Sequence, residues 1–110
     1  SALSANTDIG QVCLMGSGLT QPVALVVLNE TIKRKDGEVT SGLAETLQEV
    51  NATLETHEKI DHIIICQEAW SVENDLVTPT MKIKRNLVED KYSELAAKKL
   101  QGDVVWEEDI

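Results

Sequence analysis

The stretch VALVVL, Val23 to Leu28, is apolar at all six positions. A strand with one face in water alternates apolar and polar residues, so unbroken apolarity predicts a central strand covered on both faces. The rest of the chain must then supply material for two sides of a sheet. Just before it, DIGQVCLMG is another short apolar run, joined to VALVVL through SGLTQ, a connection of hairpin or short-loop size. The two runs read as strands of one sheet, and Gly16-Ser17-Gly18 as a turn between them. The segment NETIKRKDGE that follows, with Lys33, Arg34, Lys35 and then Asp36-Gly37, reads as a solvated polar loop.

Over residues 41–58 the period changes. Leu43, Leu47, Val50 and Leu54 recur at four, three and four, which lines one face of a helix while Glu45, Glu49 and Glu55 fall elsewhere. Ser41 or Gly42 is the expected cap, and Glu45 suits the positive end of the helix dipole. KIDHIIICQ then alternates as a strand, with Ile60, His62, Ile64 and Cys66 on one side and Asp61, Ile63 and Ile65 on the other. His62, near its start, is expected to be a partly exposed structural residue. In AWSVENDLVTPT the pair Asn74-Asp75 predicts the turn of a hairpin between AWSV and LVTPT. A second helical period begins at Leu87 and carries Val88, Tyr92, Leu95 and Lys99 on one face, ending at Gly102. The tail DVVWEEDI is expected to be frayed or lightly packed. Strand, strand, helix, strand, hairpin, helix is the order of a small α+β domain: a mixed sheet flanked by two main helices, with a hairpin leading to a lysine-rich segment.

Length and charge narrow the function classes. The 110 residues, 42% of them hydrophobic, suffice for one domain with a modest core and not for two. With 19 Asp plus Glu against 10 Lys plus Arg, the net charge of -9 opposes nonspecific binding to nucleic acid or anionic membrane. No apolar run approaches a membrane span, and SALSANTDIG lacks the basic-then-apolar pattern of a signal peptide, so a cytoplasmic chain is expected. Cys13 and Cys66 both sit inside apolar runs and are expected to be buried, reduced thiols. Together with His57 and His62 they show none of the short paired spacings of zinc ligands, so no metal site is expected.

Against this acidic background TPTMKIKR gathers Lys82, Lys84 and Arg85 within four positions. Pro79 keeps Thr78 extended and cannot donate to a ladder, which predicts an edge strand or surface loop. If residues 81–85 are extended, Lys82 and Lys84 point one way and Ile83 and Arg85 the other, so that Ile83 anchors the segment. A lysine held outward acts as a compact point charge toward phosphate or carboxylate oxygens. The chain has no GxxxxGK[ST] cradle to complete such a site, so its other half must come from outside these residues.

The run ENDLVTPTMKIKRNLVEDKY resembles the final motif of the AMP-binding, adenylate-forming enzymes, in the form found in long-chain fatty acid acyl-CoA synthetases. VNATLETHEKIDHIIIC is similar to that family's preceding helix and strand, and QVCLMGSGLTQPVALVV to the first two strands of its C-terminal domain. The resemblance implies that residues 1–110 form the small, mobile C-terminal domain. The large N-terminal AMP-binding domain, with its hinge and phosphate loop, would lie before Ser1, and SALS resembles the remainder of a helix. It implies a ligase that activates a long-chain fatty acid with ATP to acyl-AMP and then transfers the acyl group to coenzyme A. ATP, Mg²⁺ and coenzyme A would serve the complete enzyme, and the domain alone would bind none of them and be inactive. The family's motif lysine falls on Lys82, which the resemblance makes catalytic, with Lys84, Arg85 and Thr80 in supporting contacts to substrate and ATP. Asp75 stands where the long-chain subgroup has Gly, and Met81 where the family has Leu or Gly. Peripheral contact with membranes fits a long-chain acid as substrate. The alternative is a stand-alone interaction module of the same fold, docking an acidic partner through its basic edge.

Overall fold

The computed structural model describes residues 2–16, 18–32 and 35–110; Ser17 of the expected turn and Lys33 and Arg34 of the expected polar loop lie outside them. The apolar run forms strand β2 (Val23–Leu28), whose first five residues are buried. β1 (Ile9–Met15) pairs with it antiparallel, and β3 (His62–Ile65) pairs with its other edge parallel. A fourth strand, β4 (Val104–Trp106), pairs parallel with β3, giving the order β1-β2-β3-β4. This is the expected mixed sheet. It is one strand wider than the sequence suggests, because a three-residue strand in an acidic tail carries no period of its own and forms only against the edge of β3.

Helix α1 (Gly37–Asn51) covers one face and α2 (Arg85–Ala97) the other. Ala24, Val26, Ile63 and Ile65 pack with Val39, Leu43 and Leu47 of α1, while Val23, Leu25, Val27 and Ile64 pack with Val88, Tyr92 and Ala96 of α2. Alternate residues of β2 and β3 thus enter opposite cores, which is why both strands are apolar throughout. Each fully buried aliphatic side chain contributes about 1.5–3 kcal/mol.

Both helices differ in extent from their apolar periods. α1 starts four residues before Ser41, because Asp36 Oδ1 accepts from the Glu38 amide at 2.8 Å and caps the helix there. It ends at Asn51, whose side chain clamps the next segment: Nδ2 donates to the Ile60 carbonyl at 2.9 Å and Oδ1 accepts from the Ile60 amide at 2.8 Å. Leu54 and Glu58 therefore lie beyond the helix. α2 begins at Arg85 and stops at Ala97, short of Gly102, leaving Lys99 exposed outside it.

His62 is 3% exposed and not partly exposed as its position near a strand start suggests. It pairs with Val23 of β2, and the next amide, that of Ile63, donates to the Asp103 carbonyl at 2.8 Å, so both edges of the strand are covered from its start. Its Nδ1 lies 2.8 Å from Asp61 Oδ2.

Gly10 makes a β-bulge in β1. Ile9 pairs with Leu28 and Gln11 with Val27, so one residue of β1 is extra, and a Cβ at Gly10 would come within 3.0 Å of the Leu28 carbonyl oxygen. The bulge flips the alternation. Ile9 packs on the α1 side, while Gln11 shares the parity of Cys13 and Met15, which face α2.

Candidate functional site

The lysine-rich segment is held in place from Gln11 upward. Gln11 Nε2 donates to the Trp70 carbonyl and Gln11 Oε1 accepts from the Trp70 amide, both at 2.9 Å, fastening the segment after β3 to the edge strand. Trp70 itself is buried beside Cys66 and Tyr92 in the α2-side core. Burial pushes the Cys66 thiol up to about 12 and raises the Tyr92 hydroxyl as well. Residues 71–75 then form a turn around Asn74: Oδ1 accepts from the Ser71 amide at 2.9 Å, and Nδ2 donates to Glu68 Oε1 and the Ala69 carbonyl. Asp75 leaves this turn with φ 65°, the left-handed region that glycine occupies at least cost.

The hairpin follows this turn; AWSV forms no strand of it and meets it through the Ser71 carbonyl, which accepts from the Leu76 and Val77 amides, both at 3.1 Å. Its arms meet at the Val77–Ile83 bridge, with the Lys84 amide donating to the Leu76 carbonyl at 2.8 Å and the Thr78 amide to the Lys82 carbonyl at 2.7 Å. The loop is Pro79, Thr80 and Met81. The Met81 amide closes it on the Thr78 carbonyl at 2.8 Å, and Met81 has φ 68°. A tight turn followed by a left-handed residue is a common three-residue hairpin loop. The expected extended stalk over residues 81–85 is therefore absent: Met81 turns the chain, Ile83 alone bridges, and Arg85 already belongs to α2.

The structure separates the three cations. Lys84 Nζ pairs with Asp75 Oδ1. Arg85 Nη2 donates to the Leu14 carbonyl at 2.9 Å, tying the start of α2 to β1. Thr80 Oγ1 lies 3.0 Å from Thr78 Oγ1. Lys82 is exposed, and among the described residues its ammonium has no partner. Sequence patterns pointed to Lys82, Thr80, Lys84 and Arg85; they missed Gln11 and Thr78, whose parts depend on contacts between distant or turn-related atoms.

The loop of the hairpin, Pro79 to Lys82, is exposed, while Leu76 and Val77 in its first arm are buried. An open depression of about 590 Å³ lies at the C-terminal ends of β2, β3 and β4, lined in part by Leu28, Ile32, Lys35, Ile65 and Trp106, and no residue of the hairpin lines it. Among the described residues no group of three or more His, Cys, Asp or Glu is placed to hold a metal ion, and no helix is long and apolar enough to cross a membrane. Among the described residues the Lys82 ammonium is exposed and unpaired, and it does not border this depression.

The fold recurs in known proteins. The chain is 31% identical over 90 residues to a chloroplastic long-chain-fatty-acid–[acyl-carrier-protein] ligase of Arabidopsis thaliana, an alignment covering 78% of this chain and 12% of that protein. The A-PCP didomain of a carboxylic acid reductase from Segniliparus rugosus, solved in complex with AMP, superposes with a TM-score of 0.69 at 27% identity over 86% of this chain and 14% of its own. The adenylation domain of a carboxylate reductase from Mycobacterium chelonae shares the fold with a TM-score of 0.68 at 22% identity over 86% of this chain and 16% of its own. The profile described as AMP-binding enzyme C-terminal domain matches residues 1–99, and the chain belongs to that family.

Proposed function

We propose that this chain is the small, mobile domain of a long-chain fatty acid ligase, and that Lys82 is its catalytic contribution to adenylation. The carboxylate of the acid attacks the α-phosphorus of ATP; the new bond to oxygen gives acyl-AMP, and pyrophosphate leaves. A thiol then attacks the acyl carbon, forming a thioester and releasing AMP. The first step brings a carboxylate against a triphosphate, and like charges oppose the approach. A preorganised ammonium delivered on closure of a mobile domain lowers that barrier. Mg²⁺ bound with ATP on the large domain would neutralise phosphate charge in the same step. The observation that carries this reading is the pairing state of the basic cluster: Lys84 and Arg85 are engaged within the domain, whereas Lys82 is exposed and, among the described residues, unpaired on the hairpin.

Lys84, Arg85 and Thr80 enter the proposal in a supporting part. Their hydrogen bonds brace the hairpin, and any contact they make with ATP or substrate is secondary to that of Lys82. The partner that completes the site is the large AMP-binding domain of the same chain, and the setting we infer is the cytoplasm, with peripheral access to membrane-borne acid. Coenzyme A is the proposed acceptor thiol. The name of the plant relative favours a second acceptor, the thiol of an acyl carrier protein. A stand-alone interaction module would also use this hairpin, but as a docking edge.

The test uses the complete protein with its two half-reactions assayed apart. Lys82→Ala is expected to slow acyl-AMP formation by roughly 10²- to 10³-fold, the usual cost of one preorganised donor, while sparing thioester formation from supplied acyl-adenylate. Lys84→Ala is expected to do less. Equal loss in both steps, or a larger adenylation defect in Lys84→Ala, would overturn the assignment. Supplying coenzyme A or an acyl carrier protein in the second step distinguishes the acceptors, and no ligation with either favours the interaction module.

A further inference from the structure

We propose that Thr78 is the positioning residue for Lys82, fixing where its ammonium points through a hydrogen bond made by its side chain; this rests on the reading of Lys82 given above. In a regular antiparallel pair, facing residues exchange amide-to-carbonyl bonds in both directions. Here only one direction is available. The Thr78 amide donates to the Lys82 carbonyl at 2.7 Å, but the Thr78 carbonyl already accepts from the Met81 amide at 2.8 Å. The Lys82 amide goes instead to Thr78 Oγ1, at 3.0 Å. One residue therefore holds both backbone polar groups of Lys82.

The hydroxyl is itself oriented. While it accepts from the Lys82 amide, its own proton can reach Thr80 Oγ1, 3.0 Å away, so the three groups form a short chain from Lys82 N–H to Thr80. Pro79, between the two threonines, has no N–H to compete for these acceptors and holds a fixed φ. The lysine side chain beyond Cβ remains free to extend. Its starting direction does not, because pinning N–H and C=O together sets the Cα–Cβ vector. For a group whose value lies in being in place when the site closes, a misplacement near 1 Å costs about 10²-fold. Loosening one of two tethers should displace the ammonium by less than that.

Thr78→Val keeps the branched shape and removes the acceptor, whereas Thr78→Ser keeps the hydroxyl. Because these groups are exposed, water can replace the lost bond in folding without restoring the geometry. In the complete protein Thr78→Val is expected to slow adenylation about tenfold, to leave thioester formation from supplied acyl-adenylate unchanged, and to add nothing in a Lys82→Ala background. Thr78→Ser should restore the adenylation rate. Thr80→Val provides a second variant that leaves Thr78 intact, with a smaller loss in the same step. Equal slowing of both half-reactions, an additive loss on top of Lys82→Ala, or failure of serine to rescue would overturn the proposal. The two readings fail differently: full adenylation by Lys82→Ala removes the role of Lys82, whereas a defective Lys82→Ala beside an unaffected Thr78→Val removes only the role of Thr78.

Discussion

Gln11 and Trp70, 59 residues apart, form a closed pair in which one side-chain amide bonds both backbone polar groups of its partner, each at 2.9 Å. This single side chain substitutes for a strand that the segment after β3 does not form. Gln11→Ala should cost about 1–3 kcal/mol, because it leaves a partly buried amide and carbonyl without partners. Gln11→Glu should also destabilise, since its carboxylate still accepts from the Trp70 amide but sets a second acceptor against the Trp70 carbonyl. Denaturant unfolding of the 110-residue chain measures both, and an Ala variant as stable as wild type would show that other contacts hold the segment.

Met81 occupies left-handed backbone at φ 68° while its side chain is 74% exposed, so its conformation is set by the hairpin and not by packing. A β-branched residue tolerates this region poorly. Met81→Val should destabilise the chain by about 1–2 kcal/mol, whereas Met81→Asn should be near neutral. Equal stability of the two variants would show that the loop changes shape to accommodate the side chain.

Glu68 accepts from Asn74 Nδ2 at 2.9 Å and lies 3.4 Å from Lys91 Nζ, and these partners hold its carboxyl below its ordinary value of 4.5. A lowered folded-state value means that the unfolded chain takes up the proton first on acidification. The stabilisation is thus fully present above about pH 4.5 and is lost as pH falls through the folded value below it. Melting temperature followed from pH 6 to 3 should fall less steeply in Glu68→Gln than in wild type. Identical slopes would remove Glu68 from the acid response. The contribution is small, since the Glu68 side chain is exposed and solvent screens its interactions.

Cys13 and Cys66 are free and each 4% exposed, and burial raises both thiols, Cys66 to about 12. At pH 8 neither should carry appreciable thiolate, the species that reacts. A thiol reagent should leave both unmodified under native conditions and label both in denaturant. Rapid native labelling of both would contradict their burial.

The sequence by itself determined what depends on local spacing. Six apolar residues at Val23–Leu28 required a strand covered on both faces, the recurrence of Leu43 and Leu47 required a helix, and the gathering of Lys82, Lys84 and Arg85 marked the segment of interest. Tertiary structure decided the rest, because it depended on partners distant in the chain. Trp106 belongs to a strand only because β3 offers an open parallel edge, and His62 is buried only because neighbours close around that strand. The hairpin spans residues 76–84, beyond AWSV, because Gln11 and Asn74 occupy the backbone groups that a strand there would have used. Composition and spacing alone do not say which of the three clustered cations stays available. Folding pairs Lys84 with Asp75 and Arg85 with the Leu14 carbonyl, 71 residues away, and leaves the Lys82 ammonium exposed. Charge is a property of the residue, but whether that charge is spent inside the domain depends on which carboxylates and carbonyls the fold brings within reach.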